Sequence, residues 1–499
     1  MRLSAAVLFL AGVCAAQTPE ERTAKYLDSV RRQPPLLVAF LKRMPKGADL
    51  HSHLAGAVYA ESLIGWAIES GLCVDRGTST LKRGSCGPCE ASEGTPAVKC
   101  TSRDQALYNQ LVDAWSMRNW KPGSESGHDR FFATFDKFGA ALDEHGGEAL
   151  AEVASRAAGD RLQHLELMRT ADGGGAAALG REVGWDDDPA RLREKLLAAG
   201  LRDLVPKVRA RLDAEEARRR ELLRCGTDRA EPGCGVSVRF LYQVLRGLQR
   251  EQVFAQILLG FELTRADPRF VGFNLVMPED WYTPMHDFDV HIRSIEALRA
   301  LYPGTHIALH AGELAMGLVP PEGLRSHVRQ SVTRAGAERI GHGVSVMFED
   351  DAVGLLKEMA RRGVLVEICL TSNDAILGIS GARHPLPTYM KYGVPVALAT
   401  DDQGVARSDM THEWLRAVET YSLAYRDLKR MARASLSHSF LPGESLWSSS
   451  GRAKATPCRA DDPVKERTSP GCAAFLEGSE RASEQWRLEK SFSAFEREF

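Results

Sequence analysis

The sequence predicts an α/β fold, a (β/α)8 TIM-type barrel with cysteine-bearing insertions. Three observations predict it. Eight short β-like runs follow one another along the chain, amphipathic helical stretches follow most of them, and four of the runs end in histidines or carboxylates. A closed parallel ring brings the C-terminal ends of distant strands to one mouth, which an open doubly wound sheet does less naturally. The 499 residues suggest several domains by length alone, yet a barrel carrying insertions can reach this size as one domain. With 44% hydrophobic and 26% charged residues, the chain is neither disordered nor fibrous. Its 64 basic and 66 acidic side chains give a formal charge of −2, which offers no basis for binding nucleic acid or an anionic membrane surface. No repeat of 20 to 50 residues is present, against a solenoid or propeller.

Residues 1–16 read as a secretory signal peptide. Arg2, the apolar run Ala5 to Ala16 and small residues at Ala15 and Ala16 place the expected cleavage after Ala16. A lipoprotein alternative through Cys14 is weakened because Leu10 lies one residue too far upstream. The run is shorter than the ~20 residues that span a bilayer, and no other stretch is long and apolar enough. The expectation is a secreted or periplasmic chain with a single barrel domain over 17–499 and no membrane span.

The expected strands are Ala48–Leu54, Leu162–Arg169, Val236–Val244, Val271–Met277, His306–His310, Arg339–Val346, Leu365–Leu370 and Val394–Thr400. Apolar residues recur at three and four in Val290–Leu301 and Ala352–Arg362, the helical spacing. Two long intervals, about 71–125 and 172–235, and a polar C-terminal extension, about 440–499, are the expected decorations. Ala210–Arg224 carries Glu and Arg at helical spacing and reads as a solvated face. The tail ends in an amphipathic helix with Trp486, Phe492 and Phe495.

Without Cys14, nine cysteines remain. Cys73, Cys86, Cys89 and Cys100 share one segment, Cys225 and Cys234 a second, Cys458 and Cys472 a third. Even numbers in loop-rich segments of an exported chain predict local disulfides. Cys86-Gly-Pro-Cys89 lacks the strand-to-helix setting of a redox pair. Cys369 lies in an apolar run and reads as a buried free thiol.

Chemistry concentrates at four strand ends. His51 and His53, two apart, fall on one face of the first strand. His310-Ala-Gly-Glu313, Arg339-Ile-Gly-His342-Gly343 and Thr400-Asp401-Asp402 end three later ones. Singly each has a plain structural reading: a core histidine, a helix N-cap, an N-terminal carboxylate. Together they offer imidazoles and carboxylates for a divalent cation such as Zn²⁺ and for a general acid or base.

Met44-Pro-Lys-Gly-Ala-Asp-Leu-His-Ser-His-Leu-Ala-Gly56, His310-Ala-Gly-Glu313, Arg339-Ile-Gly-His-Gly343 and Thr400-Asp-Asp402, with Phe131-Phe-Ala-Thr-Phe-Asp-Lys-Phe138, resemble the adenosine deaminase family of metal-dependent amidohydrolases. The resemblance runs from about Met44 to Tyr425 in the family's order. The signal peptide and cysteine-bearing insertions resemble its secreted, growth-factor-like branch, although that branch's long N-terminal dimerisation segment is not evident between Gln17 and Met44.

This resemblance implies one zinc per chain bound by His51, His53, His310 and Asp401, with a position left for a water whose pKa the cation lowers. It implies Glu313 as donor to the purine N1, His342 and Asp401 as residues positioning or deprotonating that water, and Asp402 as the partner of N7. Phe132, Phe135 and Met277 are the expected substrate-facing side chains. The implied reaction is hydrolytic deamination of adenosine, 2′-deoxyadenosine or a related 6-aminopurine nucleoside, a small-molecule substrate. AMP, adenine or an N6-substituted adenosine are alternatives, and a secreted non-catalytic binding protein is a further one. Two departures touch substrate recognition. Ala55 stands where the family carries a carboxylate near the ribose 5′ end. Met277-Pro278 stand where it carries a glycine-bearing loop, and Pro278 has no N–H to offer. No Lys lies in Val271–Met277, against a carboxylated-lysine binuclear centre, and no His-x-Glu with Pro-Cys-x-x-Cys is present, against the cytidine-deaminase type.

Overall fold

The computed structural model describes residues 17–89, 94–448, 453–465 and 467–499; the expected signal peptide lies outside the described residues. Eight strands form one sheet: β1 (Gly47–His53), β2 (Leu162–Arg169), β3 (Ser237–Leu245), β4 (Phe270–Val276), β5 (His306–Ala311), β6 (Arg339–His342), β7 (Leu365–Ile368) and β8 (Val396–Leu398). They neighbour one another in chain order, each pair parallel. Between β8 and β1 the ring is drawn together by one parallel bridge, Ser52 to Asp401. There the Asp401 N–H donates to the His51 carbonyl at 2.9 Å and the His53 N–H to the Asp401 carbonyl at 3.0 Å. The chain is therefore a nearly closed (β/α)8 barrel, as the sequence predicts.

Every residue of β2 and β4 is buried, as befits parallel strands covered on both faces. The helix Arg250–Ala266 buries eleven consecutive residues, Val253 to Leu263, between the strands and neighbouring helices. Ala352–Arg362 keeps the expected one-sided pattern. Its N-cap Asp351 accepts from Gly354 N–H, and it stops at Gly363, whose φ of +69° is the left-handed turn a glycine takes without a Cβ penalty.

Three expected strands are shorter than the sequence suggests; the run expected over Leu365–Leu370 stops at Ile368, and a helix begins at Leu370. The run expected over Arg339–Val346 leaves the ladder at His342, where His342 and Gly343 turn left-handed at φ +67° and +59°. The last strand covers only Val396–Leu398, and Asp401 turns at φ +57°. These last two strands end where side chains swing into the barrel mouth. The helix expected at Val290–Leu301 runs over Phe288–Arg299.

The cysteines pair locally, Cys73 with Cys86, Cys89 with Cys100, Cys225 with Cys234 and Cys458 with Cys472, and Cys369 is free and buried. Cys86 and Cys89 thus belong to different bridges. The first pair ties a small antiparallel ribbon, Cys73–Val74 with Leu81–Lys82. The last sits in a satellite core with Leu446, Ala482 and Trp486. At the N-terminal end of the ring, Arg339 is buried between Glu166 and Glu367, each 2.7 Å away, and over the Phe440 ring at 3.8 Å. Phe440 N–H itself donates to Glu166, so the tail closes the barrel floor. No helix among the described residues is long and apolar enough to cross a membrane.

Candidate active site

β1 delivers His51 and His53 to the mouth. His51 Nδ1 lies 2.7 Å from Glu367 Oε2, His53 Nδ1 3.1 Å from Gln243 Oε1, and His310 Nδ1 2.9 Å from Asn274 Oδ1. Each partner is an oxygen, so each Nδ1 carries the proton and each Nε2 is left bare. That is the arrangement by which neighbouring side chains prepare histidines for a metal. The bare nitrogens converge: His53 Nε2 is 3.2 Å from His310 Nε2 and 3.2 Å from Asp401 Oδ1, and His51 Nε2 is 3.5 Å from the same oxygen. His51 Nε2 is buried without a hydrogen-bond partner. One donor atom from each of His51, His53, His310 and Asp401 lies within 4.8 Å of the others. Three bare imidazole nitrogens and a carboxylate at this spacing fit a divalent cation.

Asp401 is braced by Ser372 Oγ, which donates to Oδ2 at 2.6 Å. Burial opposes its charge, but the neighbouring imidazoles of His51, His53 and His342 hold it well below the usual carboxylate range. Beside it, burial and then the repulsion of Asp401 lift Asp402 well above that range, against the pull of His53. Asp402 Oδ1 is buried without a partner. Gly56 makes room for it, since a Cβ there would fall 1.6 Å from that oxygen.

Glu313 stands across the site. Burial, reinforced by Asp401, holds its carboxyl well above the ordinary value and so keeps it an acid near neutrality. Its backbone N–H and that of Gly312 donate to Glu279 at 2.8 and 3.1 Å, and Glu279 also binds His327 at 2.6 Å. His342 Nε2 lies 3.5 Å from Glu313 Oε1, and burial pushes the ring's pKa down to about 3.

A pocket of about 520 Å³ opens above these groups. Its apolar wall includes Phe132, Phe135, Met277 and Trp281, its floor His53, His310, Glu313, Asp401 and Asp402, and its rim His128, Asp129 and Asp136. Every site residue expected from the sequence lines this pocket or, like His51 and His342, sits directly beneath it. The supporting residues Glu367, Gln243, Asn274, Ser372 and Glu279 escaped the sequence reading. A charge inside an apolar run, as in Leu365-Val-Glu367-Ile368, was the available signal: a buried carboxylate requires a partner.

A parallel barrel with a histidine–carboxylate cluster at its C-terminal mouth holds that cluster where barrel enzymes carry their active sites. More narrowly, residues 202–446 match the family model "Adenosine deaminase". An adenosine deaminase of Escherichia coli (strain SE11) is 36% identical over 147 residues, 29% of this chain and 41% of the relative. The chain thus spans less than half the length of the curated relatives it matches. Among solved structures, an Arabidopsis N6-mAMP deaminase aligns over 81% of this chain and 96% of its own at 20% identity, with a TM-score of 0.52. An adenine deaminase of Arthrobacter aurescens aligns over 80% and 94% at 18% identity, with a TM-score of 0.51. These two share the fold.

Proposed function

We propose that the protein hydrolytically deaminates a 6-aminopurine nucleoside, adenosine or 2′-deoxyadenosine first, using one zinc ion held by His51, His53, His310 and Asp401. One observation carries the reading: in a chain similar to adenosine deaminases, a carboxyl kept in its acid form, Glu313, faces three bare imidazole nitrogens and Asp401 across a purine-sized pocket. A cation so held acts as a Lewis acid that lowers the pKa of water. Glu313 hands its proton to ring N1, making C6 electrophilic as water adds to it. The water's two protons complete the balance: one restores the Glu313 carboxyl and the other joins the C6 amino group, which departs as ammonia and leaves an oxo group at C6. His342 orients the attacking oxygen, Asp401 faces it from the cation side, and Asp402 holds the imidazole edge of the purine. Phe132 and Phe135 offer apolar faces to the base, and Met277 closes the wall.

The rim favours a nucleoside over a nucleotide. Among the described residues no Lys or Arg lines the pocket, whereas Asp129 and Asp136 do, and like charges brought together cost several kcal/mol. Related folds titled as acting on N6-mAMP and adenine set the competitors. Purified zinc-loaded protein given adenosine, 2′-deoxyadenosine, AMP, adenine and N6-methyladenosine is expected to act on the nucleosides at ~10²-fold or more the kcat/KM of AMP. Absence of turnover on every 6-aminopurine, with zinc bound stoichiometrically, would sink the enzyme reading. Turnover led by AMP would sink the nucleoside preference.

Export, through a leader over 1–16, belongs to the same proposal. Four disulfides support it, since such bridges persist in oxidising compartments. N-terminal sequencing of protein recovered outside the cytoplasm is expected to begin at Gln17.

A further inference from the structure

His342 is tied to two buried residues outside the pocket. Asn373, in the helix Leu370–Leu377, places Nδ2 2.9 Å from His342 Nδ1. His384 places Nε2 3.1 Å from Asn373 Oδ1. The Leu386 backbone N–H donates to His384 Nδ1 at 3.1 Å. All three side chains are at most 2% exposed, and neither Asn373 nor His384 lines the pocket.

The direction of this chain follows from its last link. A backbone N–H can only donate, so His384 Nδ1 is an acceptor and bears no proton. An imidazole keeps at least one proton, which must be on Nε2. His384 therefore donates to Asn373, which fixes the amide with its oxygen toward His384 and its NH₂ toward His342. An NH₂ group donates, so His342 Nδ1 is also bare, and the His342 proton sits on Nε2. That nitrogen, buried and otherwise unpartnered, faces Glu313 and the cation cluster.

We propose that Asn373 and His384 are positioning residues that lock His342 as the Nε2–H tautomer, through the buried relay Leu386 N–H to His384 to Asn373 to His342. The locked ring has one function toward the pocket. It donates an N–H to a lone pair of the attacking oxygen and aligns it, and it has no free nitrogen with which to take that water's proton. His51, His53 and His310 are set the opposite way, with protons on Nδ1 by oxygen acceptors. The site thus sorts its four histidines into three acceptors and one donor by the polarity of the group behind each ring.

The role assigned to the donor rests on the deaminase reading; the tautomer does not. The test uses full-length, zinc-loaded protein labelled with ¹⁵N-histidine, with the His342 signals identified by their loss in His342→Gln. Ring-nitrogen spectra are expected to show Nδ1 bare and Nε2 protonated in the wild type. Asn373→Asp places an acceptor against Nδ1 and is expected to protonate it. His384→Gln keeps an N–H toward Asn373 and is expected to leave Nδ1 bare. With substrate, Asn373→Asp should lower kcat ~10²-fold or more, because a misplaced histidine tautomer costs ~10⁴ in the serine-protease triad, while KM and zinc content stay near wild type. His384→Gln should keep kcat within about tenfold. A protonated Nδ1 in the wild type overturns the proposal, and so does wild-type kcat in Asn373→Asp. If no aminopurine is turned over, the deaminase reading fails while the spectra still decide the tautomer.

Discussion

Met277, His342 and Asp401 hold φ angles of +87°, +67° and +57°, conformations that cost non-glycine residues of order 1–3 kcal/mol and cluster at functional sites. Met277 is tolerated because Gly247 gives way: a Cβ at Gly247 would come within 2.7 Å of the Met277 methyl. Gly247→Ala is therefore expected to drive the thioether into the pocket and raise KM about tenfold, with zinc content unchanged. An unaltered KM in a steady-state assay would remove Met277 from the substrate wall. Glu313→Gln keeps the shape of the side chain but has no acidic proton. It should bind zinc normally and lose ~10²–10⁴ in kcat, and near wild-type turnover would refute the donor assignment. These residues were legible because each sits at a strand end beside a recognisable neighbour. Gln243 and Asn274 were not, since an amide within a strand reads the same whether it braces a histidine or fills a core.

At the scale of elements, β2, β6, β7 and β1 carry a buried ion chain from the floor to the site: Glu166, Arg339, Glu367 and then His51. Removing one member strands the others. Arg339→Met should cost ~3–5 kcal/mol in denaturant unfolding and weaken zinc binding ~10–100-fold by loosening Glu367 behind His51. A chelator-competition titration reads the second effect independently of activity. Glu349, which accepts from the Val328 and Arg329 N–H groups at 2.6 and 3.3 Å, gives a pH test. Burial raises its pKa to about 7, above the 4.5 of an ordinary glutamate, so the folded state holds its proton more tightly than the unfolded chain. Its contribution is full below pH 4.5 and lost as pH rises through 7. Glu349→Gln should therefore gain stability relative to wild type on going from pH 5 to pH 8, by about 2 kcal/mol after allowance for its partial exposure. Thermal melts at the two pH values check the sign. The eight runs announced the strands because parallel strands are buried on both faces and so are apolar throughout. Their lengths fall short of the apolar runs at β6 and β8, where left-handed turns at His342 and Asp401 override β propensity, and at β7, where a helix starts at Leu370.

At the scale of the whole molecule, the disulfides and the cation cluster occupy separate parts of the protein. None of the eight paired cysteines lines the pocket. Mild reduction should thus lower the melting temperature, each bridge of this span being worth ~2–4 kcal/mol, yet leave zinc bound to the folded protein. Loss of zinc at temperatures well below the melt would link the staples to the site. The eight strands form one ring, and the tail begins at its floor, where the Phe440 N–H donates to Glu166.

The seam of that ring has a kinetic meaning. Among the described residues, the strand pairing that joins β8 to β1 is the single Ser52–Asp401 bridge, beside residues that offer His51, His53 and Asp401 to a cation, and Asp49 and Thr400, which hydrogen-bond at the same seam, lie 351 positions apart. So distant an encounter is the slow kind, because the entropy of closing the loop comes before any contact rewards it. The ion that equips the pocket would also rivet the seam, and zinc should slow opening of the barrel more than it speeds closure. Closing the ring and assembling the ligands at its seam would then be one event.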